Sequence, residues 1–195
     1  KPVSGRLEQI GIIKNNSKVI LDYAHTPDAL KESLNSLREQ FKKRRISIVF
    51  GCGGDRDKGK RPIMGKIANQ YCDKIYLTDD NPRFENPKKI RNSIKKKINK
   101  HKIYEISNRA NAIKKAIFDM KTGDILIVAG KGHEKIQEYK KSKRLFSDQQ
   151  QILKNIKIKN KTLSNNLKLN ILMELSNLNK ISSKLKIKNA SINSK

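Results

Sequence analysis

Short β-branched runs alternate with longer segments of helical periodicity from Val19 to about Gln151. The strand-like runs are Val19-Ile20-Leu21-Asp22, Ile46-Ser47-Ile48-Val49-Phe50, Lys74-Ile75-Tyr76-Leu77-Thr78, Ile103-Tyr104-Glu105-Ile106 and Ile125-Leu126-Ile127-Val128-Ala129. Between them Pro27 to Phe41, Pro62 to Tyr71, Pro87 to Ile98 and Arg109 to Met120 carry apolar residues at helical spacing. Several of these helices open near a proline, whose missing N–H would be unpaired in a first turn anyway. Strand and helix in strict alternation predict an α/β, Rossmann-like, doubly wound fold with a mostly parallel sheet. Near-continuous apolar strands are what a sheet covered on both faces demands.

In such sheets ligands sit beyond the carboxyl ends of the strands. Those ends carry Asp22-Tyr23-Ala24-His25-Thr26, Gly51-Cys52-Gly53-Gly54-Asp55-Arg56, Asp79-Asp80-Asn81-Pro82-Arg83 and Gly130-Lys131-Gly132-His133-Glu134. Polar, glycine-rich loops on four strand ends of one rim mark that rim as the place to look for chemistry.

After about Ile156 the character changes to Lys, Asn, Ser, Ile and Leu, with Glu174 the single acid and no Gly, Pro or aromatic residue. Domain boundaries are therefore set at residues 1–156 for the folded domain and 157–195 for a polar tail. The tail reads either as disordered or as the opening of another domain, with a weak amphipathic helix from Leu163 to Leu178 and a strand near Leu185-Lys186-Ile187.

Composition changes this picture little. The formal charge of +27 fits either a nucleic-acid footprint or lysine-rich bias spread over solvated faces. Dispersed lysines and few aromatics favour bias, although a positive field would still draw in anionic nucleotides. Cys52 and Cys72 stand in no metal-ligand spacing, so reduced, partly buried thiols are expected rather than a disulfide or zinc site. No run approaches the roughly 18 to 20 apolar residues of a membrane span, and no secretory signal opens the chain. A cytoplasmic protein without membrane or nucleic-acid partners is expected. The chain starts at Lys1, not Met, and a strand-like segment follows almost at once, so a piece of a longer protein with upstream domains is also expected.

Each rim loop has a functional and a plain reading. The Gly51 to Arg61 run can hold an anion, but it is neither a P-loop nor a dinucleotide fingerprint, and Gly-Gly-Asp is also an ordinary turn. Asp80-Asn81-Pro82-Arg83 can grasp a zwitterion, Arg83 pairing with a carboxylate and Asp80 or Asn81 accepting from an ammonium. It can equally be an Asx-type turn leading to the Pro87 helix. Gly130 lets a ligand approach the sheet edge and Glu134 suits an ammonium, whereas His133 reads as a loop-orienting residue. Asp22 and His25 either contact a nucleotide or cap the Pro27 helix.

Taken in order, Ser4-Gly5-Arg6-Leu7-Glu8, Asp22 through Leu30, Gly51 through Pro62, Asp80-Asn81-Pro82-Arg83, Gly130 through Glu134 and Phe146-Ser147-Asp148 resemble the C-terminal domain of the Mur ligases, in particular those that add meso-diaminopimelate. The resemblance implies an ATP-dependent acid–amino-acid ligase of peptidoglycan precursor synthesis. Such an enzyme activates the D-glutamyl carboxylate of UDP-MurNAc-L-Ala-D-Glu as an acyl phosphate, which the incoming amine attacks. It implies that Arg56, Asp80, Asn81, Arg83, Gly130 and Glu134 bind diaminopimelate, Asn81 and the arginines facing carboxylates, Glu134 and Asp80 the distal ammonium. By the same likeness Arg6, Asp22, Tyr23 and His25 lie against ATP. The family's P-loop, modified lysine and Mg2+ ligands belong to a central domain this chain does not contain, so no catalytic or metal residue is assigned and no turnover is expected alone. Lysine-adding relatives lack the arginine found here as Arg83. The last stretch, from Ile171, resembles the start of another Mur ligase, which implies a fused next-step enzyme. The alternatives are a lysine-adding Mur ligase domain and a stand-alone basic binding module, tested by salt-dependent DNA retention.

Overall fold

The computed structural model describes residues 5–192, with side chains described through residue 177. It divides into two units, Lys1–Lys157 and Ile158–Lys195. In the first, strands β1 (Glu8–Ile12), β2 (Lys18–Asp22), β3 (Ile46–Phe50), β4 (Lys74–Leu77), β5 (Ile103–Glu105) and β6 (Ile125–Ala129) form one sheet. Its order is β1-β2-β6-β3-β4-β5, and every pairing is parallel except the antiparallel edge pair β1–β2. The chain leaves β5 and returns to insert β6 between β2 and β3. The tips of β2, β6, β3 and β4 therefore stand side by side, and the loops that follow them meet at one edge.

Helices α1 (Pro27–Gln40), α2 (Lys60–Tyr71) and α3 (Pro87–Lys95) cover one face, and α4 (Arg109–Asp119) the other. Because strand side chains alternate between faces, Ile20, Ile48, Phe50, Ile75, Leu77 and Ile127 pack against Leu30, Leu34, Met64, Ala68, Ile90 and Ile94 in one core cluster. Strands β3 and β6 are buried at every position, as a doubly covered sheet requires. Three helices begin with a side-chain cap: Thr26 accepts from Ala29 N, Asn86 from Lys89 N and Asn108 from Asn111 N. The cap of α1 is thus Thr26, not Asp22 or His25.

Two elements have no counterpart in the hydrophobic pattern. Strand β1 is short and half-exposed, and the hairpin β7 (Ile136–Tyr139) with β8 (Ser142–Leu145) is largely polar. The hairpin is fixed to the rim by a bridge between Arg83 and Tyr139. Helix α5 runs from Asp148 to Ile192 and crosses the boundary between the units. It includes Leu163 to Leu178, but also residues 185–187, where a strand was expected. With neither Gly nor Pro after Ile156 nothing breaks the helix, and a lone strand would leave its backbone groups without a sheet partner, whereas a helix pairs its own. Among the described residues no helix is long and apolar enough to cross a membrane.

Candidate functional site

Two clefts open at the carboxyl edge of the sheet. The residues expected to hold an amino acid, Arg56, Asp80, Asn81, Arg83, Gly130 and Glu134, all line one cleft of about 510 Å3. Those expected to face a nucleotide, Arg6, Asp22, Tyr23 and His25, line a second of about 550 Å3. Tyr23, His25 and Thr26 belong to both, so the β2 tip forms the wall between them.

The strand-tip loops reach this arrangement by close backbone packing. A Cβ on Gly54 would stand 1.9 Å from the Pro82 carbonyl oxygen, so only glycine lets the β3 loop lie against the β4 loop. Gly54 N donates to Asn81 O at 2.9 Å and Arg83 Nη1 to Gly54 O at 2.8 Å, joining the same two loops. Gly130 adopts φ +110°, and a Cβ there would sit 3.0 Å from Asp80 Oδ2, so the β6 tip approaches that carboxylate with bare backbone.

Arg56 and Arg83 both stand beside Gly53. A Cβ on Gly53 would find Arg83 Nη1 at 2.9 Å and Arg56 Cγ at 3.8 Å, so both arginines flank one glycine. Arg56 is exposed and donates to the Asp55 carbonyl. Arg83 is held: its Nε lies 3.1 Å from Glu138, and its backbone sits at φ +51°, a left-handed conformation unusual for arginine. Such outliers persist where surrounding contacts over-determine them and gather at ligand-binding positions. Here Arg83 N donates to Glu138 O and Arg83 O accepts from Lys140 N, so the β7–β8 hairpin imposes the twist.

The carboxylates form a second cluster. Asp80 is buried; its Oδ1 accepts from Asn81 N at 2.7 Å, and burial pushes its pKa up while Arg109 and Lys131 pull it back. Glu134 Oε2 accepts from Lys131 Nζ at 2.8 Å and from Asn81 Nδ2 at 3.0 Å. Asn81 departs from expectation. Its Oδ1 already accepts from Lys131 and Glu138 N, so the amide organises Glu134 and Lys131 instead of standing free for a ligand carboxylate.

Lys131 escaped the sequence reading, which valued its loop for glycine backbone. It is fully buried, and its ammonium donates to Asn81, Glu134 and the Ile136 carbonyl. Buried Arg109, read only as a helix opening, makes a forked pair with Asp148 and donates to Ala129 O. Gln137 donates to Asp80 O, and Arg61 pairs with Glu85, whose carboxylate also accepts from Asp55 N. Little in the sequence singled these out, because each also acts through at least one partner far away in the chain.

In the nucleotide-side cleft, Asp22 accepts from the Ser33 hydroxyl and from Leu7 N at 3.4 Å. The Tyr23 ring lies 4.7 Å from the His25 ring and 5.4 Å from that of His133. Exposed Arg6 and these rings are chemistry that fits a nucleotide. Among the described residues no group of three or more His, Cys, Asp or Glu stands together to hold a metal ion, and no magnesium step is assigned to them. Cys52 and Cys72 are fully rather than partly buried, and burial pushes the Cys52 thiol up to about 12, which leaves it unreactive.

Residues 5–132 match the family described as Mur ligase, glutamate ligase domain. The UDP-N-acetylmuramoyl-L-alanyl-D-glutamate--2,6-diaminopimelate ligase of Rickettsia felis is 46% identical over 162 residues, 83% of this chain and 30% of its own length. The protein of that name from Buchnera aphidicola subsp. Baizongia pistaciae is 49% identical over 161 residues, 82% of this chain and 32% of its own length. A solved structure of a ligase of the same description superposes with a TM-score of 0.73 at 38% identity, covering 81% of this chain and 32% of that one. A murein peptide ligase from Psychrobacter arcticus, 18% identical over 78% of this chain and 30% of its own, shares the fold with a TM-score of 0.57. The chain spans about a third of the length of the curated relatives it matches. With the sheet order, the paired clefts and the match over most of the ordered domain on one footing, the chain belongs to the Mur ligase family.

Proposed function

We propose that this chain delivers meso-diaminopimelate to an ATP-dependent ligase that extends UDP-MurNAc-L-Ala-D-Glu, the step named for its relatives. One observation carries the reading: two arginines flanking Gly53, the Asp80 carboxylate against Gly130 and the Glu134 carboxylate share a single cleft. A molecule with an amino acid group at each end matches that division. Arg83, with Arg56, pairs with the far carboxylate, and Asp80 and Glu134 accept from the far ammonium. Lysine has the ammonium but not the second carboxylate, so Arg83 is the residue that tells the two apart.

The chemistry follows from placement. An amide ligase of this kind joins an amine to a phosphate-activated carboxylate, with ATP and Mg2+ supplying the activation elsewhere in the longer enzyme. Fixing the distal end of the diamino acid leaves its reacting amine free and aimed. Orientation of this sort converts a bimolecular encounter into a near-unimolecular one. The wall of Tyr23, His25 and Thr26 shared with the second cleft would bring that amine close to a nucleotide. The same reading takes residues 157–195 as a linker or the opening of a following Mur ligase domain, and a reading frame beyond Lys195 without a second P-loop would remove that part.

The test is a competition in the full-length ligase. With meso-diaminopimelate and lysine offered together, product should carry diaminopimelate almost alone, and calorimetry should show binding of diaminopimelate but not of lysine. Equal incorporation would overturn the substrate assignment. Retention of mixed-sequence DNA by the chain, with no response to either amino acid, would favour a basic binding module.

A further inference from the structure

Arg109, at the first position of α4, is fully buried, and so is its partner Asp148 at the start of α5. Its Nε and Nη2 donate to the two oxygens of Asp148 at 2.8 and 2.7 Å, and Nη2 also donates to Ala129 O, the last residue of β6. The ion pair is already complete and neutral. Yet Nη1 is buried without a hydrogen-bond partner, a state proteins avoid unless something requires it. Asp80 Oδ2 lies 3.9 Å from it. That distance is too long for a hydrogen bond but short for two charges in a low-dielectric interior.

Asp80 has two oxygens with different surroundings. Oδ1 is fixed by Asn81 N, while Oδ2 lies against the bare backbone of Gly130 at the floor of the cleft. We propose that Arg109 is a positioning residue for substrate: from behind the cleft its Nη1 sets a positive charge against the Asp80 carboxylate, yet stands too far off to occupy Oδ2, which is left to accept from an incoming ammonium. Asp148 and Ala129 lock the guanidinium so that it cannot advance on Oδ2. The inference rests on the reading of the cleft as a diaminopimelate site.

The charged groups that act on Asp80 are Arg109 from α4, Lys131 and Glu134 from the β6 loop, and Asp148 from α5. Burial raises the Asp80 pKa, and Arg109 is the largest opposing influence. Removing Arg109 therefore returns Asp80 toward its neutral form, which cannot hold an ammonium.

The experiment uses Arg109→Lys, Arg109→Met and the double variant Arg109→Met/Asp148→Leu. The double variant replaces both members of a buried pair, a change proteins often tolerate, and so stays informative where the single Met variant fails to fold. In the full 195-residue chain, 13C labelling of aspartate carboxyls follows the Asp80 titration, assigned by its loss in Asp80→Asn. In the full-length ligase, the diaminopimelate KM is followed against pH. Asp148 opposes Arg109 at Asp80 but more weakly. The expected result is therefore an Asp80 midpoint still raised in the double variant, though by less than in Arg109→Met, with a higher KM at neutral pH that recovers as pH rises, and partial rescue in Arg109→Lys. A raised KM with an unmoved midpoint, or a raised midpoint with an unmoved KM, overturns the proposal. Failure of the wild-type enzyme to use diaminopimelate sinks the substrate reading instead. The carboxyl titration then decides alone, a raised midpoint supporting the role of Arg109 and an unmoved one overturning it.

Discussion

The guanidinium of Arg83 lies 3.1 Å from Glu138, so a residue at the tip of β4 is aimed by a hairpin more than fifty residues further along the chain. Glu138 also reaches Lys143 at 3.5 Å, and it sits where β7 pairs with β8. The pairing keeps Arg83 from folding away into solvent and leaves its Nη2 without a hydrogen bond among the described residues. In the full-length ligase Arg83→Ala should raise the diaminopimelate KM by an amount equivalent to about 2–5 kcal/mol, the usual loss on truncating a desolvated charge pair, and should abolish the preference over lysine. Steady-state kinetics with both amino acids is the measurement, and a preserved preference refutes the role.

Glu138→Ala gives the graded counterpart. It removes no group assigned to the substrate, only the brace behind one. The diaminopimelate KM should rise by a smaller factor than in Arg83→Ala, with kcat little changed, since the defect lies in ground-state and transition-state binding alike. A KM as poor as that of Arg83→Ala would mean that Glu138 itself contacts the ligand.

Lys131 has all three ammonium protons committed, to Asn81, Glu134 and Ile136 O. Lys131→Met leaves Glu134 without its buried cationic partner and Asn81 without its donor. The Glu134 side chain is about a third exposed, so the loss is that of a hydrogen bond between charged groups, about 1.5–3 kcal/mol. Urea denaturation should show a loss of that order, and Lys131→Met/Glu134→Gln should regain part of it because the orphaned charge is gone. A double variant no more stable than the single one would show that the cost comes from lost packing.

The strands, the helices and the rim loops were legible in the sequence because each is specified locally. Val19 to Asp22 and Ile125 to Ala129 are apolar runs that can only be buried strands, and the tips that follow them are polar and glycine-rich. Six cleft residues could be named from their strings, and they line one cleft. What was not legible depends on separation in space. Strand β1 and the β7–β8 hairpin lack apolar periodicity because they lie at edges and bury little. The engagement of Asn81 needs Lys131 and Glu138, both some fifty residues away, and nothing local to Asp80-Asn81-Pro82-Arg83 announces either. The strand expected at 185–187 failed for the opposite reason: the apolar–polar alternation of Leu185-Lys186-Ile187 gave a local preference that a helix without breakers overrode.

Gly54 tests whether loop packing builds the cleft. Its α-hydrogen faces the Pro82 carbonyl, and a methyl group there would collide with backbone rather than with a side chain able to move aside. Gly54→Ala should therefore cost on the order of 1–3 kcal/mol, as overpacking commonly does, and should weaken diaminopimelate binding as well, because the β3 and β4 loops must part. Thermal melting and calorimetry read the two effects. A stable variant with intact binding would mean that the loops relax without consequence.

The Arg61–Glu85 pair makes a pH prediction of definite sign. Arg61 donates to both oxygens of Glu85 at 3.0 and 2.8 Å, and Asp55 N donates to Glu85 Oε1 at 2.7 Å. Led by the hydrogen bonds from Arg61, these contacts lower the Glu85 pKa from 4.5 to about 2. A carboxylate whose pKa is depressed on folding binds protons less readily in the native state than in the unfolded chain. Its contribution to stability is complete above about 4.5 and disappears as pH falls from there through about 2. Glu85→Gln should thus be less stable than wild type at neutral pH, and the gap between the two urea midpoints should narrow over that acid window. Because Glu85 also holds Asp55 N, the variant should loosen the loop that carries Arg56 and raise the diaminopimelate KM at neutral pH. A gap that stays constant from pH 7 to 2 would mean that folding leaves the Glu85 pKa unshifted, or that the amide holds Arg61 and Asp55 as well as the carboxylate does.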